Sequence, residues 1–129
     1  MKIVLDYGHC LSGPDTGASG NGYREEVCTR EIGKKVRAKL ENLGHYVVIV
    51  SQDYALSVSE SLRIRVSSAN SAAADISVSI HLNAGGGRGT EIYTKGGSTL
   101  VEASNILKEM NVIGYINRGI KNGSELAVV

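Results

Sequence analysis

Asp75-Ile76-Ser77-Val78-Ser79-Ile80-His81-Leu82-Asn83-Ala84 decides how this chain folds. The apolar positions read as a short buried strand that ends on a histidine, then an asparagine and a glycine-rich loop. In open α/β sheets the crevice beyond the carboxyl ends of the strands is where ligand chemistry sits. A neutral imidazole also packs well as a structural group at a strand end, so His81 alone decides little. The N-terminus repeats the arrangement, because Ile3-Val4-Leu5 leads into Asp6-Tyr7-Gly8-His9. Two strands ending in a histidine, in a chain with 3 histidines, point to convergence on one place.

Bulk properties narrow the classes. A chain of 129 residues is expected to make one domain over residues 1–129 with a real hydrophobic core. Its net charge of +1 lacks the concentrated basic face that nucleic acid requires. No apolar run reaches the roughly 20 residues of a membrane span. The first strand begins almost at residue 1, so no cleavable leader is expected and synthesis in the cytoplasm follows. Phe and Trp are absent and Gly numbers 16, which leaves Val, Ile, Leu and Ala to build the core. Cys10 and Cys28 are expected as free thiols in such a compartment. Cys10 adjoins His9 but points away from it on an extended segment, and Cys28 lies on a helical apolar stripe.

Elsewhere strands and helices alternate. Residues 2–6 read as a strand, and Gly8 to Gly22 as a long surface loop of the sort that is often functional. A helix opens at Glu25 and Glu26, with the stripe Cys28, Ile32, Val36, Leu40 and Leu43 at helical spacing and Gly44 as its cap. Tyr46–Val50 is a β-branched strand, with His45 at its start and so at the far end of the sheet. Ser57-x-x-Glu60 is a capping box for a helix bearing Leu62, Val66, Ala69 and Ala73. After the strand at 75–80 come a flexible Gly85–Gly89 segment, a strand at Thr90–Thr94 and a helix capped by Thr99-x-x-Glu102. That helix turns Leu100, Ala103, Leu107 and Met110 inward. Arg118-Gly119-Ile120-Lys121 reads as a turn and Leu126–Val129 as a last strand. The alternation predicts an α/β domain with a mostly parallel sheet flanked by helices.

Loops after parallel strands and the N-termini of the following helices share one side of the sheet, which can gather His9, Glu26 and His81. Two imidazoles and a carboxylate with one position open form a catalytic zinc set. Each ligand has an alternative: Glu25 or Glu26 could complement the helix dipole, and His9 could bond within its turn. The loop at 85–89 lacks the Lys-Ser/Thr ending of a phosphate-binding loop.

The motifs around these residues resemble a known family. Leu5-Asp6-Tyr7-Gly8-His9, Pro14-Asp15-Thr16-Gly17-Ala18, Gly22-Tyr23-Arg24-Glu25-Glu26, Leu62-x-x-Arg65-x-x-x-Ala69-Asn70, Ser79-Ile80-His81-Leu82-Asn83-Ala84 and Arg118-Gly119-Ile120-Lys121 look like the zinc-dependent N-acetylmuramoyl-L-alanine amidases, the Amidase_3 family. The resemblance implies Zn2+ held by His9, Glu26 and His81, and peptidoglycan as partner. The amide between N-acetylmuramic acid and L-alanine would be cut by zinc-activated water. It implies a substrate-contact or ligand-orienting role for Asn83. It also places the family's general-base glutamate, a last strand and a closing helix beyond Val129, so the expected catalytic residue is unassigned. An open sheet edge could then favour association. Two outcomes are expected: an amidase acting on the wall after lysis or non-classical release, as a phage endolysin does, or a zinc-bearing wall-binding fragment without turnover.

Overall fold

Lys2–Tyr7 forms β1, whose Val4 and Leu5 are fully buried. Burying each of these side chains contributes about 1.5–3 kcal/mol. β1 is central because it is apolar on both faces, as a parallel strand covered twice must be. The computed structural model describes residues 1–129, in two compact units, 1–84 and 85–129.

In the first unit β1 pairs in parallel with β4 (Tyr46–Ile49) on one side and β5 (Ile76–Ile80) on the other. α1 (Glu25–Asn42) and α2 (Val58–Ser71) make the crossovers. Leu5, Tyr7 and Val47 form the core, joined by Val36 and Leu40 of α1 and by Ile49, Val78 and Ile80. The α/β class with parallel strands is therefore as the alternation predicts. α2 starts as its capping box requires, with the Ser57 hydroxyl accepting from the Glu60 N–H at 3.0 Å. The Glu60 carboxylate reaches back to the Leu56 N–H rather than to that of Ser57.

The expected loop at 8–22 is not wholly irregular. Ser19–Gly20 (β2) and Tyr23–Arg24 (β3) pair antiparallel across Asn21-Gly22. Both turn residues have positive φ, 50° and 80°, the primed hairpin turn that Asn-Gly favours. The hairpin delivers Glu25 as the first residue of α1.

The second unit holds β6 (Thr90–Thr94) and β7 (Asn117–Asn122), paired in parallel, with α3 (Val101–Val112) between them in sequence. Three expectations are corrected here. Arg118-Gly119-Ile120-Lys121 lies within β7 because Ile120 and Lys121 pair with Ile92 and Tyr93. Leu126–Val129 is turn: the Leu126 N–H bonds back to Gly123 and that of Val129 to Leu126. α3 begins after Leu100, with no side-chain cap, so Thr99 does not cap it.

Gly33 of α1 lies on the Tyr7 ring so closely that a Cβ there would overlap it. Gly33→Ala gains about 0.8–1 kcal/mol of helix propensity but overpacks a buried ring, at about 1–3 kcal/mol. The overpacking should win, because Tyr7 is itself buried in the core. Urea denaturation should therefore show Gly33→Ala less stable than wild type; an unchanged or raised midpoint would mean that Tyr7 moves freely.

Candidate metal centre

His9 follows β1 by two residues and His81 follows β5 directly. Parallel pairing of the two strands, with Tyr7 opposite Ile80, brings their exits side by side. The Gly8 N–H bonds to the Ile80 carbonyl at 2.9 Å, and a Cβ on Gly8 would strike both that carbonyl and the His81 ring. The chain then turns sharply. His9 has φ 67°, a left-handed conformation uncommon for a non-glycine residue. Buried Thr29 and Arg30 of α1 hold it there, bonding to the Gly8 and His9 carbonyls at 3.1 Å each. The two imidazoles meet edge to face, with ring centroids 4.8 Å apart.

The carboxylate that joins them is that of Glu25. Its Oε1 lies 3.1 Å from His81 Nδ1 and 3.5 Å from His9 Nε2 and accepts the Leu82 N–H at 2.8 Å. Its Oε2 accepts the Ala18 N–H at 2.9 Å. The expected ligand Glu26 is elsewhere: its carboxylate accepts from the Arg24 guanidinium and the Gly17 N–H, and it is 1% exposed. The reason is helical rotation. Successive residues of a helix point about 100° apart, so only one of two adjacent glutamates can face the strand exits. With β3 ending at Arg24, that one is Glu25. Asn83 is exposed two residues beyond His81, while His45 lies beside the N-terminal amine, at the opposite end of β1.

His9, Glu25 and His81 can hold a metal ion. Their donor atoms lie within 4.8 Å of one another, and the two glutamate–imidazole separations fall near the ligand–ligand edge of about 3.4 Å on a tetrahedral zinc. The imidazoles suit such a role in their neutral form. Burial pushes the His81 pKa down, helped by the charge of His9 and of Arg65, against the pull of Glu25 and Asp6. The His81 side chain is 33% exposed, so one side of the cluster stays open to solvent.

Asp6 of β1, in the strand that leads to His9, is a structural anchor. Its carboxylate, 3% exposed, accepts a two-pronged bond from Arg65 of α2, 2% exposed, together with the hydroxyls of Ser79 and Ser51. Arg65 also reaches His81 Nε2 at 3.4 Å. A sequence signal for this pair existed: Asp6 interrupts an apolar strand, and Arg65 falls within the helical stripe of Leu62 and Ala69. Burial alone pushes the Asp6 carboxyl up. The Arg65 hydrogen bonds and charge, with the two serines, outweigh that and hold it below its ordinary value.

A family model described as N-acetylmuramoyl-L-alanine amidase (Amidase_3) matches residues 3–129. The chain is 38% identical over 129 residues to the N-acetylmuramoyl-L-alanine amidase CwlM of Bacillus licheniformis, covering 96% of this chain and 49% of that protein. It is 35% identical over 132 residues to a sporulation-specific N-acetylmuramoyl-L-alanine amidase of Bacillus subtilis (strain 168), with the same coverage of 96% and 49%. The chain thus spans about half the length of the curated relatives it matches. Among solved structures it is similar to the catalytic domain of CwlV, an N-acetylmuramoyl-L-alanine amidase from Bacillus (Paenibacillus) polymyxa var. colistinus. That match has a TM-score of 0.77 and 28% identity, over 98% of this chain and 72% of the other.

The pH dependence of stability should follow Asp6. A folded-state pKa below the unfolded one means that the unfolded chain binds the proton more tightly. The stabilisation is then complete above the ordinary carboxylate value and is lost as pH falls through the depressed one. Asp6→Asn strands Arg65 in the interior and should cost about 3–5 kcal/mol at neutral pH. In urea titrations the gap between wild type and Asp6→Asn should narrow as the solution is acidified below about pH 4; a constant gap would remove Asp6 as the titrating group.

Proposed function

The chain belongs to the Amidase_3 family of N-acetylmuramoyl-L-alanine amidases, and from that premise we propose that it hydrolyses the amide between N-acetylmuramic acid and L-alanine in peptidoglycan, with Zn2+ as its metal. One observation carries the proposal: His9, Glu25 and His81, from three separate segments, turn their donor atoms to one solvent-open point. Similarity to a sporulation-specific amidase supports a role in dismantling cell wall.

A bound zinc would supply Lewis acidity, polarising the scissile carbonyl and making water acidic enough to attack near neutral pH. The chain's own residues prepare the place for it. The Ala18 and Leu82 N–H groups fix the Glu25 carboxylate, and burial lowers the His81 pKa, favouring the neutral ring that can serve as a ligand. The buried Asp6–Arg65 pair contacts this end of β5 through Ser79 and the His81 ring. Asn83, exposed just past His81, is assigned a substrate contact on the open side.

The second outcome, a zinc-bearing domain that binds muropeptide without cutting it, is favoured by one feature. Asp6, Asp15, Glu25 and Glu26, the carboxylates around the cluster, each already accept hydrogen bonds. None of them is both unpaired and exposed to an attacking water, because Asp15 Oδ2, the one oxygen among them without a hydrogen-bond partner, is buried.

Elemental analysis and a turnover assay on purified muropeptides separate these outcomes. About one zinc per chain is expected in wild type and in Glu26→Gln, and none in His81→Ala or Glu25→Ala. Release of stem peptide with a new L-alanine amino terminus supports the amidase. Loss of the metal should lower it at least about 1,000-fold, since the ion supplies several kcal/mol to the transition state. Zinc and muropeptide binding without release would establish the binding domain instead. A folded wild type that takes up no zinc would overturn both.

A further inference from the structure

Asp15 is buried, 5% exposed, in the loop after His9. Its Oδ1 lies 2.9 Å from His9 Nδ1, and its backbone carbonyl accepts the Cys10 N–H at 2.7 Å. The backbone bond closes residues 10–15 into a ring, and the side-chain contact ties that ring to His9. Its other oxygen, Oδ2, is buried with no hydrogen-bond partner, and the Arg65 guanidinium lies 3.8 Å from it. Leaving a buried acceptor unpaired is costly, so the position calls for an explanation beyond loop packing.

We propose that Asp15 is the positioning residue of the site, holding His9 as the tautomer whose Nε2 lone pair faces the metal. A carboxylate can only accept, so His9 Nδ1 carries the proton in this contact and donates it to Oδ1. In the neutral ring Nε2 is then a bare acceptor. It faces Glu25 Oε1, another acceptor, at 3.5 Å. Two acceptors turned toward one another at this distance repel, and a cation between them converts the repulsion into coordination. Asp15 thus fixes both the direction and the tautomer of His9 before any ion arrives. It also makes the imidazole a stronger donor, as outer carboxylates do for metal-bound histidines. Arg65 joins the arrangement from below, because the same guanidinium neutralises Asp6 and stands beside Asp15 Oδ2. The inference rests on the metal proposed above, but the tautomer of His9 can be read without metal.

Nitrogen-15 NMR of the metal-free full chain reports that tautomer directly. Wild type should show His9 protonated on Nδ1 and bare on Nε2, and Asp15→Ala should lose the preference. Competition with a chromogenic chelator should show zinc bound about 10–100-fold more weakly by Asp15→Ala. Asp15→Asn keeps an acceptor oxygen and should recover part of that loss, which a purely structural role would not predict. A wild-type His9 protonated on Nε2 overturns the proposal whatever the variants do. So does a folded Asp15→Ala that binds zinc within about twofold of wild type. If wild type binds no zinc but holds the Nδ1–H tautomer, the metal assignment fails and the positioning role of Asp15 stands.

Discussion

The Asp6 carboxylate is the point from which the first unit is built. It leaves β1 in the layer where an apolar residue would ordinarily pack, and it is met there by Arg65 from α2, Ser79 from β5 and Ser51 from the segment after β4. Four stretches distant in sequence are thereby fixed to one another at the carboxyl end of the sheet. A buried ion pair of this kind adds little net stability compared with apolar packing of the same volume. In the observed register the two charges satisfy one another, and the two serine hydroxyls complete the set of partners.

That end of the sheet also carries the candidate metal cluster, and the same groups support both. Arg65 neutralises Asp6, stands beside Asp15 and touches His81. Arg30 and Thr29 hold the left-handed turn that presents His9. Glu25 stitches α1 to the strand exits through the backbone of Ala18 and Leu82. The cluster is therefore preorganised on rigid elements, with the Glu25 carboxylate already set against both imidazoles. Substitutions in this cluster will for this reason often disturb folding, and measurements that separate the two effects carry the most information.

The second unit follows a simpler logic. β6 and β7 pair in parallel, and Arg118 of β7 forms an ion pair with Glu91 of β6 at 3.0 Å. Gly87 packs against the same guanidinium, where a side chain would collide with it. The glycine-rich run before β6 thus has a packing role at this position, consistent with its lack of phosphate-binding features.

Much was legible in the sequence because it depends on local pattern. Alternating apolar periods place the strands and helices, Ser57 and Glu60 mark a helix start, and the two histidines after strands point to one end of the sheet. Three matters were decided by tertiary structure. Arg118–Lys121 reads as a turn from its glycine, and becomes strand only because β6 offers a partner ladder. Asp6 and Arg65 each stand out in an apolar pattern, but that they pair appears only when two segments 59 residues apart bury them together. The choice of Glu25 over Glu26 depends on where α1 begins, which the Asn21-Gly22 hairpin sets. One residue of phase is about 100° of helix rotation, enough to turn one carboxylate toward the imidazoles and the other toward Arg24. The sequence by itself supplied the donors and their order; only the fold decided which of two neighbouring glutamates faces the site.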